Sequence, residues 1–128
     1  MSAASNYLEN KLIDHSLGTT AYTAPSAVYV ALFTSDPTDA GTGTEVSGGG
    51  YARQSATFAA ASSGSASTNA TVTFPTATAN YGTVTHVGIY DASSAGNLLF
   101  HGAVTTSKTI ETGDTFQISS GNLTISLD

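Results

Sequence analysis

The sequence predicts an all-β fold, an antiparallel β-sandwich of jelly-roll-like type carrying one short N-terminal α-helix. Short apolar stretches rich in Val, Ile, Tyr, Phe and Thr recur along the chain, separated by Gly, Ser, Asn and Asp, which is the pattern of brief strands and turns. Only one stretch has helical periodicity. A length of 128 residues suits one domain, 1-128, with one core.

The helix belongs to residues 1–18. Leu8, Leu12, Ile13 and Leu17 fall at helical spacings on one broad face. Asn6 with Glu9 three residues on has the form of a capping box, and Gly18 supplies a left-handed C-terminal stop. A helix of about three turns needs packing to persist, so it is expected to cover one side of the sheet. After Pro25, Val28 to Phe33 are apolar on both alternating faces, as in a strand covered on both sides.

Residues 35–50 hold Pro37, five glycines and little apolar content, too long and polar for a tight hairpin. They read as a surface loop serving as a docking arm. Further strands are expected at Tyr51 to Phe58, Ala70 to Phe74, Val84 to Tyr90, Leu98 to Val104, Thr115 to Ile118 and Leu123 to Leu127. The turn residues Asp91 to Gly96 predict a hairpin centred near Ser93 and Ser94, which would set His86 opposite His101. A second hairpin is expected to turn at Ser119 to Asn122. Ala59 to Ala70, almost entirely Ala, Ser, Gly and Thr, reads as a linker or edge segment with little core content and a second arm.

Composition narrows the function classes. Charged residues are 9% of the chain against about 25% in typical soluble domains. The polar surface is therefore built from hydroxyls and amides, which pack against a protein neighbour without strong charge repulsion. The net charge of -6 leaves Lys11, Arg53 and Lys108 against nine acids, the wrong sign for nucleic acid. No apolar run approaches the roughly 18 residues of a membrane span, and Met1 to Lys11 lacks the basic and apolar regions of a secretion signal. Without cysteine there is no disulfide and no thiolate metal site.

No pattern of catalytic residues stands out. Serines are so abundant that a Ser, His and Asp neighbourhood is expected by chance, and no Gly-x-Ser-x-Gly elbow occurs. His86 and His101 are two potential zinc ligands where three or four are needed, so a cross-strand pair is the simpler role. Asp36, Asp39 and Glu45 offer oxygen ligands without EF-hand spacing. Gly48-Gly49-Gly50 lacks the Lys and helix of a phosphate cradle. The expectation is no enzyme activity, no cofactor and no metal. The candidate protein contacts are Asp36, Asp39 and Glu45 in the loop, with Tyr51 and Arg53 beyond it.

The segments Tyr7 to His15, Val28 to Thr34 and Gly49-Gly50-Tyr51-Ala52-Arg53-Gln54 resemble a family of small tailed-bacteriophage virion proteins, often labelled tail-fibre-like. Val84 to Asp91 and Gly96 to Gly102 are also similar to the β-rich attachment domain of phage tail fibres. The resemblance implies a structural protein made in the host bacterial cytoplasm and located on the virion, at the capsid surface or tail. It brings no catalytic residues.

A complete receptor-binding fibre needs a shaft of triple-stranded β-structure or coiled coil, and no such segment is read here. On that ground a capsid decoration or cement protein, stabilising the shell as a bound dimer or trimer, stands ahead of a tail-fibre or baseplate role. The partners expected are the major capsid protein or tail and baseplate proteins, with neither nucleic acid nor membrane. One rival is a glycan-binding module using Tyr51, Tyr81 or Tyr90 as aromatic platforms. Another is a depolymerase using Asp91, Glu111 or Asp114, all of which fall in predicted turns where solvation is the default.

Overall fold

In a computed structural model, residues 2–127 are described. A five-stranded antiparallel sheet is backed on one face by short two-stranded ribbons. The chain runs β1 (Ser2–Ala4), α1 (Asn6–Ser16), β2 (Val28–Phe33), β3 (Gln54–Ala56), β4 (Ser65–Ser67), β5 (Val72–Thr73), β6 (Gly82–Tyr90), β7 (Leu98–Ile110), β8 (Gln117–Ile118) and β9 (Thr124–Ser126). The large sheet has the order β1-β7-β6-β2-β3, and the ribbons are β4-β9 and β5-β8. This is the sandwich-like, all-β architecture with one short N-terminal helix that the sequence predicts.

The core lies between the two layers. Val30 and Leu32 from β2, Val84, Val87 and Ile89 from β6, and Ile110 from β7 face Val72 and Phe74, with Phe116, Ile118 and Ile125 closing it from the ribbons. The opposite face of β2 is also covered, as its two-sided apolar pattern requires: Ala31 and Phe33 cluster with Tyr90 and Leu98. The cover there differs from expectation. α1 packs against β7, while the 35–50 loop brings buried Pro37, and Gly41 beside Leu98, to this region.

Among the helix residues only Leu8 is buried, and Ile13 and Leu17 remain 55% and 77% exposed. The N-cap is Ser5 rather than Asn6. Its hydroxyl accepts from Leu8 N and donates to the Leu98 carbonyl, so one buried serine starts the helix and ties it to β7. Gly18 closes the other end at φ 77°, as its sequence position predicts.

Three sequence readings are corrected by strand pairing. The hairpin after β6 forms, but His86 lies opposite Ala103 and His101 opposite Gly88. The Asp91 carboxylate lengthens the turn by accepting from Asn97 N, and a bulge between Ile89 and Tyr90 adds the remaining offset. Next, β8 and β9 do not pair with each other. Ser65 to Thr73 runs antiparallel to Gln117 to Ser126 as one interrupted ribbon, whose halves β4-β9 and β5-β8 differ in register by one residue. Buried Thr68 sits at the break, donating from its backbone to the Leu123 carbonyl and accepting from Gly121 N. Finally, Ala59 to Ala70 is therefore part of the second layer and not a free arm. Its small residues conceal a strand because the ribbon is held by backbone bonds more than by side-chain burial.

Candidate functional site

The 35–50 loop is folded along the edge of β2 that β3 leaves uncovered. Thr34 N donates to the Thr44 carbonyl, Val46 N donates to the Leu32 carbonyl, and Phe33 forms a bridge with Glu45. Residues 44–46 thus act as a short extra strand, with Val46 buried in the main core. Gly43 makes the close turn possible: a Cβ there would stand 2.7 Å from the Asp36 carbonyl oxygen. The segment is a built part of the domain rather than one free of core duty, with Pro37 and Val46 buried.

Glu45, Tyr51 and Arg53 come together, facing one another. Arg53 Nε donates to Glu45 Oε2 and its Nη2 to Oε1, both at 2.9 Å, in a two-pronged ion pair. Its Nη1 donates to the carbonyls of Ala92 and Ala95 at 3.0 and 2.8 Å, and the guanidinium lies 3.7 Å from the Tyr90 ring centroid. The Tyr51 hydroxyl donates to Glu45 Oε2 at 2.7 Å and accepts from Leu32 N at 3.0 Å. With the Arg53 side chain only 8% exposed, the cluster pins the loop, β2 and the 91–96 turn to one another. Burial works against the Arg53 charge, but the hydrogen bonds and charge of Glu45 outweigh it and raise its pKa. Burial, reinforced by the Glu45 hydrogen bond, pushes the Tyr51 phenol far above its ordinary value. These residues bond to one another and hold the fold.

Asp36 and Asp39 flank His101, whose side chain is 11% exposed. Asp39 Oδ1 lies 2.8 Å from Nε2, and Asp36 Oδ1 lies 3.8 Å from Nδ1. The carboxylates meet opposite ring nitrogens, so the three groups do not converge on one point. Among the described residues no set of three or more His, Cys, Asp or Glu is placed to hold a metal ion. Asp39 also accepts from Asn6 N through its carbonyl, linking loop and helix. His86 is apart from this group, its Nδ1 2.8 Å from the Thr85 hydroxyl.

The tyrosine platforms suggested by sequence are internal. Tyr51 stacks on Phe74 and meets Tyr81 edge-on, and the Tyr81 hydroxyl donates to the Pro75 carbonyl. Burial raises the pKa of Tyr81 and, against the opposing charge of Arg53, that of Tyr90.

Two outward features escape the sequence reading. One is the uncovered helix edge of Ile13 and Leu17. The other is an apolar groove of about 300 Å³ between the layers, lined by Val28, Phe58, Leu99, Phe100, Ile125 and Leu127. The helix edge has a sequence signal, because an apolar face spanning Leu8 to Leu17 is longer than one strand contact can bury. The groove has none, since it depends on how far the β4-β9 ribbon stands from the sheet.

The model of a family described as Podophage GP4 fiber I protein gp80 matches residues 3–126. No curated protein matches the chain.

Proposed function

The chain belongs to the podophage GP4 fiber I protein gp80 family and is thus a structural protein of a tailed-phage virion; from that premise we propose that it is a component of the tail-fibre apparatus that acts by docking onto other virion proteins rather than by catalysis. The observation that carries the reading is the extent of the family match, which takes in the helix and both layers of the sandwich. It favours the tail position over capsid decoration, reversing the order in which the sequence alone ranks them.

The exterior suits such a role. Ile13 and the C-cap residue Leu17 stand uncovered at a helix of 11 residues, a length that is marginal without packing. Their edge and the apolar groove are the surfaces whose burial a neighbouring virion protein would reward. Glu45, Tyr51 and Arg53 are bonded to one another, which favours docking through apolar burial over docking through that ion pair.

Immunogold labelling of intact phage with an antibody to the chain tests the position. Gold confined to the tail and its fibres is the expected result. Gold spread over the head would overturn the fibre reading and restore capsid decoration.

A further inference from the structure

We infer that a second cleft, between the free edge of β7 and the ribbon layer, takes an extended segment of a neighbouring virion protein as an added strand. The inference rests on the docking role proposed above and names the form of one contact. The cleft has a volume of about 480 Å³, and its lining extends from Ser2 to Lys108 on the sheet side.

β1 shows what the site accepts. Ser2–Ala4 pairs antiparallel with Phe100 to Gly102, and Ser126 N donates to Ser2 Oγ at 3.1 Å, so β1 lies between the edges of β7 and β9. β7 runs on to Ile110, but among the described residues no strand continues the lane of β1 beyond Gly102. The β6 side is open there too. Val84 pairs with Lys108 and His86 with Ala103, so Val104 to Ser107 stand against Thr85 alone and leave the β6 ladder. Among the described residues these four have no strand partner on either side, and Thr105, Thr106 and Ser107 are exposed. A strand edge left in this state is a template for pairing. Across the cleft, β8 and β9 each pair on one edge, with β5 and β4.

The lining selects the occupant. Val87, Val104, Phe116, Ile118 and Leu123 give the cleft an apolar floor, which calls for apolar side chains at alternate positions, the spacing at which a strand presents one face. Lys108 lines it with no carboxylate beside it among the described residues, which calls for an acid in the segment. Main-chain bonds supply the affinity of such strand addition, and the floor supplies its selectivity. Because the occupant lies between two layers, it must be free along both edges. A second copy offers no such segment: its strands are paired within its own sheets, its 35–50 loop is packed, and its 17–27 stretch carries Pro25 and no acid.

Hydrogen exchange read by mass spectrometry, on the free full chain and on intact phage, tests this. The amides of Val104 to Ser107 are expected to exchange at least about tenfold more slowly in the particle than in the free chain. Thr105→Pro and Thr106→Pro each remove one N–H, and successive N–H groups of a strand face opposite edges, so at least one of the two is expected to cut recovery of the chain in particles about tenfold. Thr105→Val and Thr106→Val are expected to be recovered like the parent, and circular dichroism checks that every variant folds; where a proline variant does not, the exchange measurement decides. The proposal is overturned if exchange at Val104 to Ser107 is the same in particle and free chain, or if both proline variants fold and are recovered like the parent. Slowing that appears in the free chain as its concentration is raised assigns the lane to a second copy and also overturns it. Unchanged exchange with gold on the tail strikes this inference alone, whereas slowed exchange with gold on the head strikes the fibre reading and leaves the strand contact standing.

Discussion

Replacing Arg53 by alanine is the sharpest test of how this fold is held. The guanidinium makes two bonds to Glu45, two to turn carbonyls and a stacked contact with Tyr90. Removing it leaves a carboxylate that is 25% exposed with Tyr51 as its remaining side-chain partner. Breaking a buried ion pair from one side costs about 3–5 kcal/mol, and partial hydration of Glu45 places this case near the lower end. Loss of the contact with Tyr90 contributes about 1 kcal/mol more, while the Ala92 and Ala95 carbonyls lie on an open turn and rehydrate. A total of about 3–4 kcal/mol is a large share of the 5–15 kcal/mol that stabilises a typical domain. It corresponds to a fall in the melting temperature of about 11–15 °C at this chain length. Urea and thermal unfolding followed by circular dichroism measure it. Arg53→Lys should recover less than half of the loss, because an ammonium cannot make the forked pair. Glu45→Gln combined with Arg53→Ala should lose about 2 kcal/mol less than the two single changes together. A loss below about 1 kcal/mol for Arg53→Ala, or zero coupling with Glu45, would refute the claim that this pair organises the loop.

Gly43→Ala should destabilise the protein by about 1–3 kcal/mol, since its Cβ would collide with the backbone of Asp36 and Pro37; hydrogen exchange should quicken first at the Thr44 and Val46 amides, and unchanged exchange there would contradict the packed-loop account. Stability should also decline at alkaline pH. Tyr22, Tyr51, Tyr81 and Tyr90 all have pKa values raised above the ordinary 10.0 in the folded chain, so the unfolded state loses its phenol protons first. Their contribution is fully present below pH 10 and is lost as pH rises from there, Tyr51 alone giving a slope of up to about 1.4 kcal/mol per pH unit. The urea midpoint between pH 8 and 11 measures this, and Tyr51→Phe should flatten the decline.

The parts of the fold legible in the sequence are those whose signal is local. Val28 to Phe33 announces a strand buried on both faces because alternation fails there in favour of continuous apolar residues, and β6 and β7 are marked by β-branched runs between turn residues. What stayed hidden is set by pairing over distance. The residues of β4, Ser-Ala-Ser, have neither β-branching nor bulk, and they become a strand only because Thr124 to Ser126 lies alongside. β1 is three small residues held by the edge of β7. The polar loop at 35–50 misled for a related reason. Its low apolar content is real, but Pro37 and Val46 are enough to anchor it, and Glu45 finds in Arg53 a partner that no local pattern reveals. For the site, the sequence picked out Glu45, Tyr51 and Arg53 but not their mutual bonding, since a lone arginine and a glutamate eight positions earlier look the same whether they face a partner or each other.

That inward pairing changes the electrostatics of any docking event. Taking Arg53 and Glu45 out of contention leaves Lys11 and Lys108 as the cations available to a neighbour, against eight acids. A partner steered by charge would have to be basic, and its attachment would weaken steeply with salt. The uncovered apolar surfaces behave differently. Ile13 and the C-cap Leu17 lie beside Glu9, Lys11 and Asp14, whose charges leave a single net negative, and the interlayer groove is walled mainly by aliphatic and aromatic side chains. Burial of such surface is driven by water release and is little affected by moderate salt. An assembly module that must stay attached through changes of medium between host cells is better served by contacts of this second kind. The sparse charge of the chain suits contacts of this second kind, with its best charged pair used to hold the fold.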